Sequence, residues 1–291
     1  MASSLTLQST FKLPSGHEMP LLGFGLTVLP NRPPDEAERC CNDALRLGYR
    51  HIDSAASYRN EGGCGKAIRT SSIPRSDIFF TSKVRIITYD GAKEQVAKTL
   101  AETGLDYIDL MLLHCPYGGS ENRKGAWKAL VEAVEAGKVR SIGVSNYGVH
   151  HLDELEKHMA ELEAERPGAG GVLSVGQYEI HPWCARDDVV GWLQKRGVAV
   201  EAYSPLVRGE RWGEPVLKKL ADKYGKTEAQ VLIRWSLDQG FVPLPKSVNE
   251  DRIKANTDVY DFQLTAEEVK ELKTDDYKPV CWDPVTSGLD N

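Results

Sequence analysis

Several side chains that can carry acid–base or hydrogen-bonding chemistry stand at the downstream ends of short apolar runs. Asp53 follows Arg-His-Ile, Lys83 follows IFFTS, His114 closes LMLL, Ser145 and Asn146 close SIGV, Tyr203 closes VEA, and Lys246 closes VPLP. A carboxylate, an ammonium, an imidazole and a phenol brought to one place can move a proton and steady negative charge on oxygen. Taken singly, each has a plainer explanation: a buried ion pair, a histidine with satisfied hydrogen bonds, a strand-end turn residue, or a lysine laying its stem on apolar surface. Their shared position argues for a site, provided that the fold gathers strand ends on one face.

The spacing of apolar residues supplies such a fold. Eight short β-branched or apolar runs, at 20–26, 50–55, 78–84, 108–116, 141–146, 174–180, 198–206 and 241–247, read as strands. Several are apolar at consecutive positions, the pattern of a parallel strand covered on both faces. Helical patterns fall at 35–47, 92–103, 125–136, 149–164, 187–196 and in a long segment at 215–237. The first ends at Gly48, which suits a left-handed cap. Eight strand-then-helix units predict an α/β fold, a single (β/α)8 TIM barrel, in preference to a doubly wound sheet with its usual five or six strands. Pro-Ser-Gly between two extended runs near the N-terminus predicts a β-hairpin in front of the barrel. Thr265 and Glu268 predict a capping box for a helix in the tail, which reads as irregular beyond Tyr277. The most loop-like internal stretch is 163–171. With no repeat or linker in view, residues 1–291 read as one domain.

Composition excludes other classes. Of 291 residues, 36 are basic and 42 acidic, a net charge of −6, and 41% are apolar, which is ordinary for a globular protein. That acidity argues against general nucleic-acid binding, which needs a basic face. The longest uncharged apolar run, at 19–28, is far short of the roughly 20 residues of a membrane span. Residues 1–16 lack the basic and apolar regions of a secretory signal, so a cytoplasmic protein is expected. Six cysteines, with no C-x-x-C pair and no zinc-site spacing, read as buried free thiols, and no metal is expected. Neither glycine cluster, at 23–25 or 62–66, has the spacing of a Rossmann or P-loop phosphate motif. Glu179 and Glu201 read as strand-packing or supporting groups in preference to a glycosidase acid pair.

The stretch GYRHIDSAASYRNEGGCGKAI, followed in order by TSK, LLHCP, GVSN, GQYE, AYSPL and LPKSVNEDRIKAN, resembles the aldo-keto reductase superfamily. The resemblance runs from the N-terminal hairpin to about Phe262, and the lack of long insertions is similar to the compact microbial and fungal branch. It implies a catalytic group of Asp53, Tyr58, Lys83 and His114. Hydride delivered to a carbonyl carbon leaves an alkoxide that needs a proton, and the resemblance makes Tyr58 its donor. A free phenol titrates near 10, and the Lys83 ammonium would lower that value, with Asp53 holding Lys83 in place. His114 would hydrogen-bond the carbonyl oxygen and in some members shares the proton transfer. The plainer readings are a loop aromatic capping the barrel and a structural ion pair.

The resemblance also implies a cofactor, NADPH or NADP+, lying extended across the barrel mouth. Ser145, Asn146 and Gln177 would bind the nicotinamide carboxamide, and Tyr203 would stack on the ring. Lys246, Ser247 and Arg252 match positions that bind the adenosine 2′-phosphate, and Asn256 matches an adenine contact. Thr27, Ser204, Leu206 and Val248 complete the implied contacts. NADPH is expected over NADH because a guanidinium offers a donor fork for phosphate oxygens.

Some positions depart from the commonest pattern: Cys115 where many members have tryptophan, Thr27-Val28 for a common Thr-Trp pair, Ala255 for an acidic contact, and Arg85 for an aromatic residue. The expected consequence is a wider substrate pocket, with Arg85 either attracting an anionic substrate or simply solvated. Phe24, Tyr117, Trp183, Trp212 and Trp282 are candidate replacement walls or core residues. The short run at 207–215 predicts a modest flap over the cofactor. The expected activity is NADPH-dependent reduction of a small-molecule aldehyde or ketone by a monomer, with no nucleic-acid or membrane partner. The alternatives are a cofactor-binding regulatory subunit and a structural protein on the same fold.

Overall fold

A computed structural model describes residues 5–27 and 35–291. The first two strands, β1 (Thr10–Lys12) and β2 (Glu18–Pro20), form the expected antiparallel hairpin, turning at Gly16 with φ +88°. The strands β3 (Phe24–Gly25), β4 (His51–Asp53), β5 (Phe79–Val84), β6 (Ile108–Leu113), β7 (Val139–Ser145), β8 (Leu173–Glu179), β9 (Ala199–Tyr203) and β10 (Val242–Leu244) then pair in parallel in chain order. Two hydrogen bonds join first to last and close the barrel, Gly23 N to Pro243 O and Gly25 N to Pro245 O, both 3.1 Å. Glycine allows that approach, because a Cβ on Gly25 would lie 2.9 Å from Leu244 O.

Strand parity decides what faces inward. Leu110 and Leu112 of β6 join Phe79, Val175, Ala199 and Val242 in an interior cluster that Leu13 and Met19 of the hairpin region plug from below. The alternate residues, such as Phe80, Val84, Met111, Leu113, Ile142 and Val144, pack outward in the larger core beneath the helices. Continuing the inward series upward gives Asp53, Lys83, His114, Ser145, Gln177 and Tyr203, so the two-residue period of each strand sets its chemical group on the inner face of the C-terminal rim.

The helices are α1 (Glu36–Arg46), α2 (Glu61–Thr70), α3 (Tyr89–Thr103), α4 (Ser120–Glu135), α5 (Val149–Glu165), α6 (Asp187–Gln194), α7 (Pro215–Tyr224), α8 (Glu228–Asp238), α9 (Glu250–Ala255) and α10 (Ala266–Leu272). Gly48 carries φ +100° just past α1, as expected of a cap. Thr265 and Glu268 form the expected capping box on α10, and beyond Tyr277 there is only a 3-10 turn at Pro284–Thr286. The stretch at 163–171 is a loop after α5 runs three residues into it.

Several expectations need correction. The segment 215–237 is two helices: Gly225, at φ +63°, ends α7, and a capping box between Thr227 and Gln230 starts α8. The helices α2 and α9 went unread. Three glycines lower the helix propensity of α2, but they let it pack closely, since a Cβ on Gly65 would lie 2.3 Å from Thr103 O. The first barrel strand is only Phe24–Gly25, because Pro20 pairs with Thr10 in the hairpin.

Candidate active site

The strand ends enclose a cavity of about 440 Å³ at the C-terminal rim. At its floor lies a fully buried ion pair. Lys83 Nζ donates to both Asp53 oxygens at 2.7 and 2.8 Å and to Ser54 O at 2.7 Å. Burial lowers the Lys83 pKa, but the charges of Asp53 and Tyr58 outweigh it, and the net shift is upward. Gln177 Nε2 donates to Asp53 Oδ2 at 2.9 Å and to Glu201 Oε2 at 2.7 Å. Two carboxyl acceptors fix the orientation of that amide, and Gln177 Oε1 has no protein partner among the described residues.

Glu201 and His51 are 3.4 Å apart but are not an ion pair at neutral pH. Burial, then the Asp53 charge, push Glu201 up to about 8, while burial pulls His51 down to about 4, so both are neutral. Glu201 is thus a buried supporting group beneath the cavity, as the sequence indicated.

Tyr58 and His114 line the cavity above the pair. Lys83 Nζ is 5.2 Å from the centre of the Tyr58 ring. Burial raises the Tyr58 pKa and Lys83 lowers it; burial wins, so the phenol titrates above its ordinary value. The ammonium acts in the expected direction but offsets only part of the burial effect. His114 is held in place through its backbone, with its N–H on Val84 O at 3.2 Å and its carbonyl receiving Asn146 Nδ2 at 3.0 Å. Burial, then Lys83, lower its pKa to about 3, so the imidazole is neutral. The site thus combines a protonated phenol, a neutral imidazole and a buried ammonium, a set suited to protonating and steadying an oxyanion.

Ser145, Asn146 and Tyr203 also line the cavity, joined in one network. Ser145 Oγ donates to Gln177 O at 2.9 Å, Asn146 Nδ2 to Ser145 Oγ at 3.0 Å, and Tyr203 OH to Asn146 Oδ1 at 2.9 Å. Asn146 takes φ +62°, a conformation asparagine tolerates better than most residues. Thr27, Ser204, Leu206 and Lys246 also line the cavity. Ser247, Val248, Arg252 and Asn256 do not; they follow Lys246 on the loop and on α9, where Arg252 is exposed and Asn256 buried.

Among the lining residues that sequence reading missed are three with polar side chains, Ser57, Arg208 and Cys281. The last comes from a tail that straps across the mouth. Buried Glu179 accepts Val280 N at 2.6 Å and Cys281 N at 3.0 Å. Burial raises its pKa, but His181 and those two N–H groups outweigh it, and Glu179 stays ionised. Arg186 donates to Tyr277 OH at 2.7 Å and Asp283 Oδ1 at 2.9 Å, and Arg123 to Leu289 O at 2.7 Å. Thus anchored, the strap places Trp282 in the cavity wall, 6.2 Å from the His114 ring, with Tyr117 5.8 Å beyond it.

Of the five candidate walls, only Trp282 lines the cavity. Phe24 is buried against Tyr49, Trp183 is buried, Trp212 is exposed above Gly209, and Tyr117 sits behind Trp282. Cys115 is buried outside the cavity, and Trp282 stands as an aromatic wall beside His114. Arg85 is exposed and away from the cavity. The expectation at Val28 lies outside the described residues. After β9 only a short 3-10 turn, Val207–Gly209, forms, with Ser204, Val207 and Arg208 at positive φ.

A sequence model of the Aldo/keto reductase family matches residues 21–214 and 214–275. The chain is 39% identical to the glyoxal reductase of Bacillus subtilis, over 92% of each chain. It is 38% identical to the methylglyoxal reductase DkgA of Escherichia coli, over 96% of this chain and 98% of that one. The crystal structure of a Bombyx mori aldo-keto reductase in complex with NADP matches with a TM-score of 0.82 and 30% identity, over 95% and 96% of the two chains.

Proposed function

The chain belongs to the aldo/keto reductase family, and from that premise we propose that its cavity reduces aldehyde and ketone carbonyls to alcohols with NADPH, Tyr58 giving the proton. The observation that carries the reading is the buried Asp53–Lys83 pair set directly behind Tyr58 and His114 in one cavity.

The residues present fit the cofactor. Gln177 Oε1 is an unclaimed acceptor beside the hydroxyl of Ser145 and the amide of Asn146, which suits a carboxamide. Tyr203 offers its ring at the wall, and Lys246 and Arg252 supply cations for the 2′-phosphate at the mouth. Thr27, Ser204, Leu206, Ser247, Val248 and Asn256 would contribute further contacts. Bound there, the reduced nicotinamide supplies the hydride.

The chain's own groups do the rest. His114, neutral, donates a hydrogen bond to the carbonyl oxygen, orienting it and taking up part of its growing charge. Tyr58, protonated across the neutral range, gives its proton to that oxygen, and Lys83 steadies the phenolate left behind. Asp53 keeps Lys83 charged and fixed. Trp282 screens the His114 side from water.

We further propose that residues 1–291 form one domain and act as a cytoplasmic monomer. The six free thiols, five of them buried, support the reducing compartment. The test of function is NADPH oxidation against aldehydes, keto esters, keto acids, sugars and 2-oxoaldehydes, the last chosen from the names of the two bacterial relatives, with NADH in parallel. Turnover with NADPH supports the reading. Tight NADPH binding with no turnover on any carbonyl contradicts it.

A further inference from the structure

Neutral His114 has a single ring N–H, and the nitrogen that carries it decides whether the imidazole helps or hinders a carbonyl. A proton on Nε2 can be donated to the substrate oxygen; a bare Nε2 would set lone pair against lone pair. The edge-on rings of Tyr58, at 5.8 Å, and Trp282, at 6.2 Å, confine the imidazole without fixing the proton. One polar side chain meets the ring: Ser57 Oγ, 3.4 Å from Nδ1. Ser57 lies in the 3-10 turn Ala56–Tyr58, immediately before Tyr58, and lines the cavity. Among the described residues its hydroxyl has no other hydrogen bond, and Nε2 has no protein partner although it is not a buried, unsatisfied atom; it opens on the cavity.

We propose that Ser57 is a positioning residue that sets the tautomer of His114: its hydroxyl donates to Nδ1 and so holds the proton on Nε2, toward the substrate. A carbonyl oxygen accepts only, so the chain of donors runs one way, from Ser57 O–H to Nδ1 and from Nε2–H to the oxygen. As charge grows on that oxygen the imidazole becomes a better acceptor at Nδ1, and the Ser57 bond tightens with it. Part of the effect therefore appears only as the transition state forms and is read in kcat. The hydroxyl also resists a flip of the ring. This role rests on the reductase reading above.

The test pairs Ser57→Ala with Ser57→Thr, which keeps the hydroxyl, and uses nitrogen NMR of labelled histidine in the NADP+-bound protein. The wild type is expected to show protonated Nε2 and bare Nδ1, and Ser57→Ala a mixture of tautomers or a proton shifted to Nδ1. With a carbonyl that the wild type reduces, Ser57→Ala should lower kcat about 5- to 20-fold, the share of one hydrogen bond, with NADPH affinity unchanged. Ser57→Thr should stay within about threefold of wild type. A proton on Nδ1 in the wild type, or the same spectrum and kcat in Ser57→Ala, overturns the proposal. If no carbonyl is reduced, the functional reading fails while the NMR result still judges the tautomer.

Discussion

Replacing Lys83 with methionine keeps most of the side chain's volume and removes one buried charge. Nζ gives up three hydrogen bonds of 2.7, 2.8 and 2.7 Å from a fully buried position, and Asp53, 4% exposed, is left with the single Gln177 donor. Most of the cost is the stranded carboxylate, so Lys83→Met should lose about 3–5 kcal/mol at neutral pH. Adding Asp53→Asn removes that charge and should recover about 2 kcal/mol of stability, with no recovery of turnover. The pH dependence has a definite sign. A stranded buried carboxyl binds a proton more readily than it does in the unfolded chain, so Lys83→Met should lie closer to wild type near pH 5 than at pH 8. In the wild type the upward shift of Lys83 leaves its contribution complete at neutral pH, to be lost only as the pH rises through the raised value. Urea unfolding of the wild type, both single variants and the double variant at pH 5 and pH 8 measures all of this. A single variant within about 1 kcal/mol of wild type at pH 8, or a double variant as unstable as Lys83→Met, would refute the buried-pair argument.

Arg252→Ala should weaken NADPH binding by about 1.5–3 kcal/mol, roughly 10- to 100-fold, and leave NADH nearly unchanged, as cofactor fluorescence titration would show. An equal loss for both cofactors removes Arg252 from the phosphate site. Glu201, at about 8 when folded against 4.5 as a free group, makes stability fall as pH rises between those values, by up to about 1.4 kcal/mol per pH unit. Buried His51 and His114 slope the other way below about pH 6.5, so the check is the difference in denaturant midpoint between Glu201→Gln and wild type from pH 5 to 8: it should shift in favour of the variant as pH rises, and a pH-independent difference would take Glu201 out of the pH dependence. For the reduction direction, kcat should be flat from about pH 6 to 9, because His114 has already lost its proton and Tyr58 still holds its own. A fall on the alkaline side within that window that persists in Glu201→Gln would mean that the phenol ionises earlier than its burial allows.

The inward-facing chemistry was legible because a strand has period two: once IDLMLL reads as a buried parallel strand, His114 must continue the inward series of Leu110 and Leu112. Asp53, Lys83, Gln177 and Tyr203 follow from the same parity. Helix α2 was hidden because its glycines answer to close packing, Gly65 against Thr103 and Gly63 against Ala37 and Glu38, contacts distant in sequence. The split of α7 from α8 carried a readable signal, Gly225 followed by Thr-x-x-Gln, that the apolar period obscured. Trp282 stood among five aromatic candidates, and choosing it required Glu179 to fasten Val280 and Cys281 from a hundred residues away. Such a tie leaves no local pattern. Ser57 was passed over because serine in a turn is common, and its meaning comes from the imidazole across the cavity.

The central claim is that Tyr58 supplies the proton, and the most direct measurement is the turnover of Tyr58→Phe beside its NADPH affinity. The phenyl ring keeps the packing against His114 and loses only the hydroxyl. Turnover should fall by about 100-fold or more, the contribution of a positioned general acid, while the NADPH dissociation constant stays within about twofold. Turnover within about threefold of wild type would contradict the account, since the proton would then come from elsewhere.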